Sequence, residues 1–256
     1  MAHRLPIQPH HWIERDRVLR FSFEGESITG YPGDTLTSAI LASGRRVLGR
    51  SFKYHRPRGV LSAANHDANV LLQTRTRLNI RGDVEPVIDG EAYTAVNTAG
   101  GLARDRRRIL DRLSAVLPVG FYYKAFFRPH WLFPWWEKLI RSLSGLGVVS
   151  TDFPRERFAR RRVACDCLVI GAGAAGIAAA AALVDSGLRV IVVDENARIG
   201  GRLSYSRRDA EESAAWFENA VAGLADAPNV EIWTDACALG YYSDREVPIL
   251  RAHGID

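Results

Sequence analysis

Cysteine is scarce in this 256-residue chain: there are three, and the first is Cys165. So sparse and odd a set excludes a disulfide framework and fits a reducing compartment. No run of 18 apolar residues occurs, so no transmembrane helix is expected. The opening residues, MAHRLPIQPHHW, lack the apolar stretch of a secretory leader, so the expected location is cytoplasmic. His3, His10 and His11 read there as solvated side chains. No nucleic-acid-binding motif accompanies the basic runs RDRRR (104–108) and RERFARRR (155–162), which read as solvated linkers or helix faces. Neither nucleic acid nor membrane is therefore an expected partner. His55, His66 and His130 are acid–base candidates by type alone, with no nucleophile paired to them, so no catalytic residue is assigned.

What the chain does have is a core-forming composition, 47% apolar, with a net charge of +5. Its most informative stretch reads CDCLVIGAGAAGIAAAAALVDSGLRVIVVD, from Cys165 to Asp194. A short apolar run ends at Gly171; Gly173 and Gly176 follow, then an alanine-rich helix, a β-branched run from Val190 to Val193, and Asp194. That is the order and spacing of a dinucleotide-binding βαβ unit. Gly171 permits the sharp exit from the strand, Gly173 leaves room for a pyrophosphate, and Gly176 lets helix and sheet pack closely. The helix N-terminus offers free N–H groups to the phosphates. Asp194, 18 residues past Gly176, is placed to accept from ribose hydroxyls. Glu195 adds a second carboxylate. A 2′-phosphate about 4 Å from one carboxylate meets repulsion of up to roughly 4 kcal/mol at an effective dielectric near 20, which favours NAD or FAD over NADP. Gly200-Gly201 permits another close backbone approach, and Arg202 is placed to reach a phosphate. Cys165 and Cys167 form a C-x-C fragment without a second ligand cluster, and read as small strand residues rather than metal ligands.

Three segments are expected, 15–98, 99–163 and 164–256. In the first, Val18 to Phe23 alternates apolar and polar, Gly25 turns the chain, and Ser27 to Tyr31 returns as a hairpin. Asp34 is the expected cap of a helix beginning at Thr35, with Leu36, Ala39 and Ile40 on one face and Gly44 as its stop. The basic loop RSFKYHRPRG (50–59) and a buried strand at Val70-Leu71-Leu72 follow. This is the order of a β-grasp domain of the plant-type ferredoxin kind. Such a domain carries its cluster on C-x4-C-x2-C and one later cysteine. With no cysteine before Cys165, a cluster-free domain without an iron–sulfur cluster is expected. The middle segment carries GFYYKAFFRPHWLFPWWEK (120–138), either a membrane-interface anchor or a buried seam. Pro129 and Pro134 are expected to interrupt a continuous amphipathic helix, which favours the seam. In the third segment a helix from Asp209 to Leu224 and a strand from Val230 to Trp233 complete βαβαβ, an incomplete Rossmann-type FAD/NAD(P)-binding domain. The fold class is thus α/β.

The stretches GYPGDTLTSAILASG, GRSFKYHRPRG, LPVGFYYKAFF and CDCLVIGAGAAG…VIVVDENARIGGRL resemble the N-terminal part of the α subunit of heterotetrameric sarcosine oxidase. The resemblance implies oxidative demethylation of sarcosine to glycine and hydrogen peroxide by the complete enzyme. It implies FAD on a β subunit, FMN between α and β, and further small subunits in a hetero-oligomer. It also implies NAD on the glycine fingerprint, with Ala175, Asp194, Glu195, Asn196 and Arg202 as contacts and Ala238 near the adenine. The family subunit is much longer, so the chain reads as a truncated portion, inactive by itself. A subunit of a related opine oxidase or hydrogen cyanide synthase binding FAD, or a non-catalytic scaffold, are the alternatives.

Overall fold

Alternation of apolar and polar residues makes the first hairpin. The computed structural model describes residues 4–7, 12–61, 70–96, 98–114, 128–143, 159–204 and 210–251. Strand β1, Leu19–Phe23, buries Leu19, Phe21 and Phe23 and turns Arg20 outward. It pairs antiparallel with β2, Glu26–Gly30. The two-residue turn takes positive φ at Glu24 (52°) and Gly25 (82°), matching the twist of the strands.

Helix α1, Leu36–Ala42, buries Leu36, Ala39 and Ile40 as its spacing predicts. Gly44, at φ 94°, ends it and donates to the Leu41 carbonyl. The cap differs from expectation. Thr35 is the N-cap residue, its hydroxyl accepting from Ser38 N–H. Asp34 is one residue too early for that role; its buried carboxylate accepts from the Ser38 hydroxyl, the Tyr31 N–H and the Arg4 guanidinium instead.

Short strands β3 (Gly49–Arg50) and β4 (Pro57–Arg58) pair within the basic loop. Strands β5 (Leu71–Gln73), β6 (Ile80–Arg81) and β7 (Ala92–Ala95) complete a sheet of order β2-β1-β7-β5-β6. β7 lies parallel to β1, and Tyr93 packs edge-on to Phe21. This β-grasp sheet and α1 enclose Phe23, Leu36, Ile40, Leu72 and Tyr93.

A 3-10 turn, Arg106–Arg108, runs into α2, Ile109–Arg112. Helix α3 spans Phe133–Leu143 without a break. Pro134 does not interrupt it, because a first-turn residue has no intrahelical partner for its N–H in any case. Trp131 is 79% exposed and Trp135 58% exposed. Residues 120–127 of the aromatic stretch lie outside the described residues, as do His3, His10, His11, His66 and residues 155–158 of the second basic run.

The chain divides into two units, Met1–Pro154 and Arg155–Asp256. In the second, β8 (Cys167–Ile170), β9 (Val190–Val193) and β10 (Val230–Trp233) form a parallel sheet of order β10-β9-β8. Helices α4 (Ala174–Ala181) and α5 (Ala210–Ala225) supply the crossovers. The expected start of α5 at Asp209 lies outside the described residues. All four residues of β9 are buried, which identifies it as the central strand. Ile177, Ala180, Val190, Val192 and Leu224 form the core on the helix side, with Phe217 and Val221 packed against it. The opposite face is covered by a hairpin of β11 (Ala236–Ala238) and β12 (Ile249–Arg251), which the sequence reading did not foresee. Cys165 packs on this second face, two residues before β8 rather than within it, and Cys167, the first residue of β8, packs on the helix side. Burial pushes the Cys165 thiol upward, with the neighbouring Cys167 adding to it. Among the described residues no helix is long and apolar enough to cross a membrane.

Candidate functional site

The site lies where β8 gives way to α4. Gly171 takes φ 96°, a conformation that L side chains avoid, and its N–H donates to the Val193 carbonyl at 2.7 Å. This turns the chain at the C-terminal end of the sheet. Gly176 sits in the first turn of α4, where a Cβ would come within 1.8 Å of the Gly171 carbonyl oxygen. Gly173 is the N-cap of α4, with no side-chain capping bond; a Cβ there would meet nothing within 4 Å. Gly176 therefore closes the corner internally, and Gly173 leaves it open outward. The first-turn N–H groups of α4 carry the positive end of its dipole towards that opening.

Asp194 follows β9 and is buried. Its Oδ2 accepts the Ala172 N–H at 2.6 Å, and its Oδ1 accepts both the backbone N–H and the side-chain amide of Asn196 at 2.8 Å. The carboxylate thus pins the glycine turn to the end of β9, a task that the ribose role alone does not require. Its own carbonyl accepts from Ala236 N–H, and Asn196 accepts from Asp235 N–H, so the start of β11 is tied to the same turn.

The second glycine pair closes the far side. Gly200 bridges to Gly173, its N–H donating to the Ala172 carbonyl at 2.8 Å. A Cβ on Gly201 would lie 3.1 Å from the Gly173 Cα, and Gly200 at φ 119° faces the Phe217 ring. Glycine is needed at 201 for close approach to the Gly173 backbone, and at 200 because of its positive φ and the Phe217 ring against it.

The structure brings together Gly171, Gly173, Gly176, Asp194, Asn196, Gly200 and Gly201. Ala175 is exposed in the first turn of α4, and Glu195 is half-buried beside Asp194. Arg202 is exposed in the 3-10 turn Gly201–Ser204. Ala238 ends β11, opposite Ile249 and two residues beyond the Ala236 link to Asp194. Two participants escaped the sequence reading, Ala172 and Ala236. Both act through backbone N–H groups, which leave no side-chain signal.

Comparison with known proteins agrees with both units. Residues 169–234 match the family described as an NAD(P)-binding Rossmann-like domain. Residues 16–97 match the family described as a 2Fe-2S iron-sulfur cluster binding domain. That match overturns the expectation of a cluster-free domain without an iron–sulfur cluster: the domain family is a cluster-binding one. Residues 16–97 contain no cysteine, so thiolate ligands do not come from this stretch. The fold of L-proline dehydrogenase from P. horikoshii superimposes with a TM-score of 0.57 at 21% identity, over 93% of this chain and 38% of that one.

Sarcosine oxidase subunit alpha of Rhizobium meliloti (strain 1021) is 38% identical over 94% of this chain and 25% of its own length. The same subunit of Corynebacterium sp. (strain P-1) is 31% identical over 94% of this chain and 21% of its own. Across 94% of its length the chain is a relative of the sarcosine oxidase alpha subunits, of whose length it spans about a quarter or less.

Proposed function

We propose that this chain holds a dinucleotide, NAD, within a multi-subunit, flavin-dependent amine oxidoreductase of the sarcosine oxidase kind. The observation that carries this reading is the outward-open corner at Gly173, closed behind by Gly176 and braced by Asp194. The alpha-subunit relatives support the wider assembly; FAD and FMN held with a β-type subunit belong to the same proposal.

The residues fit a pyrophosphate. The N-cap of α4 has no side chain to compete for its first-turn N–H groups, and a Cβ built on Gly173 would meet no protein atom within 4 Å. A dinucleotide bound there would bring its redox ring, but NAD at this corner is proposed as held rather than turned over. The chain's own part is binding and orientation: backbone N–H groups for the phosphates, Asp194 and Glu195 for the ribose, Arg202 for a phosphate oxygen. Asp194 Oδ2 carries one hydrogen bond from Ala172 and keeps acceptor capacity for a hydroxyl. No side chain is assigned as acid, base or nucleophile, so amine oxidation belongs to the assembly.

The test is titration of the purified chain with NAD and with FAD by calorimetry, together with its visible spectrum. Colourless protein that binds NAD supports the proposal. A flavin absorbance near about 450 nm assigns the corner to FAD. Binding of neither dinucleotide refutes the site. Sarcosine-dependent hydrogen peroxide is expected from the coexpressed assembly and not from the chain alone.

A further inference from the structure

Two basic stretches far apart in sequence form one face of the first unit. Residues 45–60 carry six arginine or lysine side chains and no acid; residues 102–113 carry five arginines beside Asp105 and Asp111. The whole chain is only +5, so the remainder is net negative. Three contacts join the stretches. His55 Nδ1 lies 2.7 Å from Asp105 Oδ2, both side chains fully buried. Arg50 donates twice to the Leu102 carbonyl, at 3.1 and 2.6 Å, and once to the His55 carbonyl. Arg56 pairs with Asp111 at 2.6 Å.

These contacts occupy both acids of the patch. Asp105 is buried beneath it, where it also accepts the Ala99 and Arg107 N–H groups. Arg46, Arg58, Arg104, Arg106, Arg108 and Arg112 are exposed and make no ion pair among the described residues. The same stretches expose Phe52 (56%), Val47, Val60, Ile109 and Leu113. Exposed guanidinium groups on joined stretches repel one another, and among the described residues these six have no acidic partner to offset that repulsion. Ten arginines stand against one lysine in these stretches. Arginine with aromatic side chains, and little lysine, is the composition of protein interfaces, and exposed aliphatic side chains offer nothing to a phosphate backbone. The buried His55–Asp105 pair and the Arg50 bonds hold the face in shape beforehand, which lowers the ordering cost of association.

We propose that this face docks a carboxylate-rich surface of the β-type partner subunit, with Phe52 seated in an apolar recess and the exposed arginines meeting aspartates and glutamates. The proposal rests on the multi-subunit reading above. It is tested by coexpressing the tagged full chain with the β-type subunit and comparing wild type with Arg106→Glu/Arg108→Glu, Arg46→Glu/Arg58→Glu and Phe52→Ala. Thermal melts confirm that each variant is folded, and the pairs are exposed arginines whose loss removes no ion pair. Wild type is expected to copurify stoichiometrically, with affinity falling at least about tenfold in 0.5 M salt. Each charge-reversed pair is expected to lose about tenfold or more, and Phe52→Ala a similar factor. If the folded variants copurify like wild type, the face is not the interface although the multi-subunit reading stands. If wild type captures no β-type subunit, both readings fall. Double-stranded DNA bound at physiological salt by wild type and not by the charge-reversed pairs would assign the face to nucleic acid and overturn the proposal.

Discussion

Replacing Gly173 by valine separates binding from folding at the glycine corner. Gly173 has φ −76° and ψ −173°, extended backbone that any residue adopts, and a Cβ there meets no protein atom within 4 Å. The fold should tolerate valine. A branched residue is a poorer N-cap than glycine, at a cost of roughly 0.5–1 kcal/mol. Loss of glycine's freedom in the unfolded chain offsets this by about 0.4–1 kcal/mol. The net change in stability is expected within about 1 kcal/mol, a shift of at most 4–8 °C in melting temperature for a domain of about 100 residues. Binding should respond differently, because the methyl groups occupy the space before the first turn of α4 where the pyrophosphate is proposed to lie. A loss of at least tenfold, about 1.4 kcal/mol, is expected, and complete loss if the phosphates cannot shift. Calorimetric titration with NAD, paired with a thermal melt of the same sample, reads both quantities. Unchanged affinity in a folded Gly173→Val protein would refute the placement of the phosphates.

Asp194→Ala removes three hydrogen bonds and leaves the Ala172 N–H without its acceptor, so it is expected to destabilise the second unit by about 2–4 kcal/mol in urea denaturation, as well as weakening dinucleotide binding. The Tyr93 hydroxyl is buried with no hydrogen-bond partner among the described residues, and desolvation, aided by nearby Glu85 and Glu91, pushes its pKa up to about 12. The unfolded chain ionises near the ordinary value of 10.0, so this stability is intact below pH 10 and is lost as pH rises towards about 12. Tyr93→Phe should abolish that alkaline loss, of about 2 kcal/mol between denaturation curves at pH 9 and pH 11.5. Asp105→Ala removes a buried carboxylate that bonds the His55 ring and the Ala99 and Arg107 N–H groups, and should destabilise the first unit by about 2–4 kcal/mol, measured by urea denaturation.

Much of the site was legible because it is made of local spacing. Glycines 171, 173 and 176 and the strands on either side lie within one βαβ stretch, and a short-range pattern fixes a short-range shape. The hairpin at Gly25, the buried face of α1 and the helix stop at Gly44 were legible for the same reason. The expected Asp34 cap missed by one residue, since both Asp34 and Thr35 suit the role and only the backbone at Thr35 decides between them. Proline interrupts a helix interior but not its first turn, and only the start of α3 at Phe133 decides which of these Pro134 occupies. The β11–β12 hairpin went unforeseen because its strands are short and separated by an irregular stretch. The cluster-free expectation followed ligand chemistry alone, and the domain's kinship is with a cluster-binding family.

By itself the sequence determined the glycine turn, the parallel strands and the acid that ends β9, because backbone sterics and periodicity act over a few residues. Only tertiary structure decided that Asp194 braces Ala172, that Gly200 and Gly201 close on Gly173, and that Arg50 and Asp105 draw two basic stretches onto one face. Those contacts join residues from 22 to 52 positions apart, through backbone groups and buried polar side chains whose partners are chosen by packing.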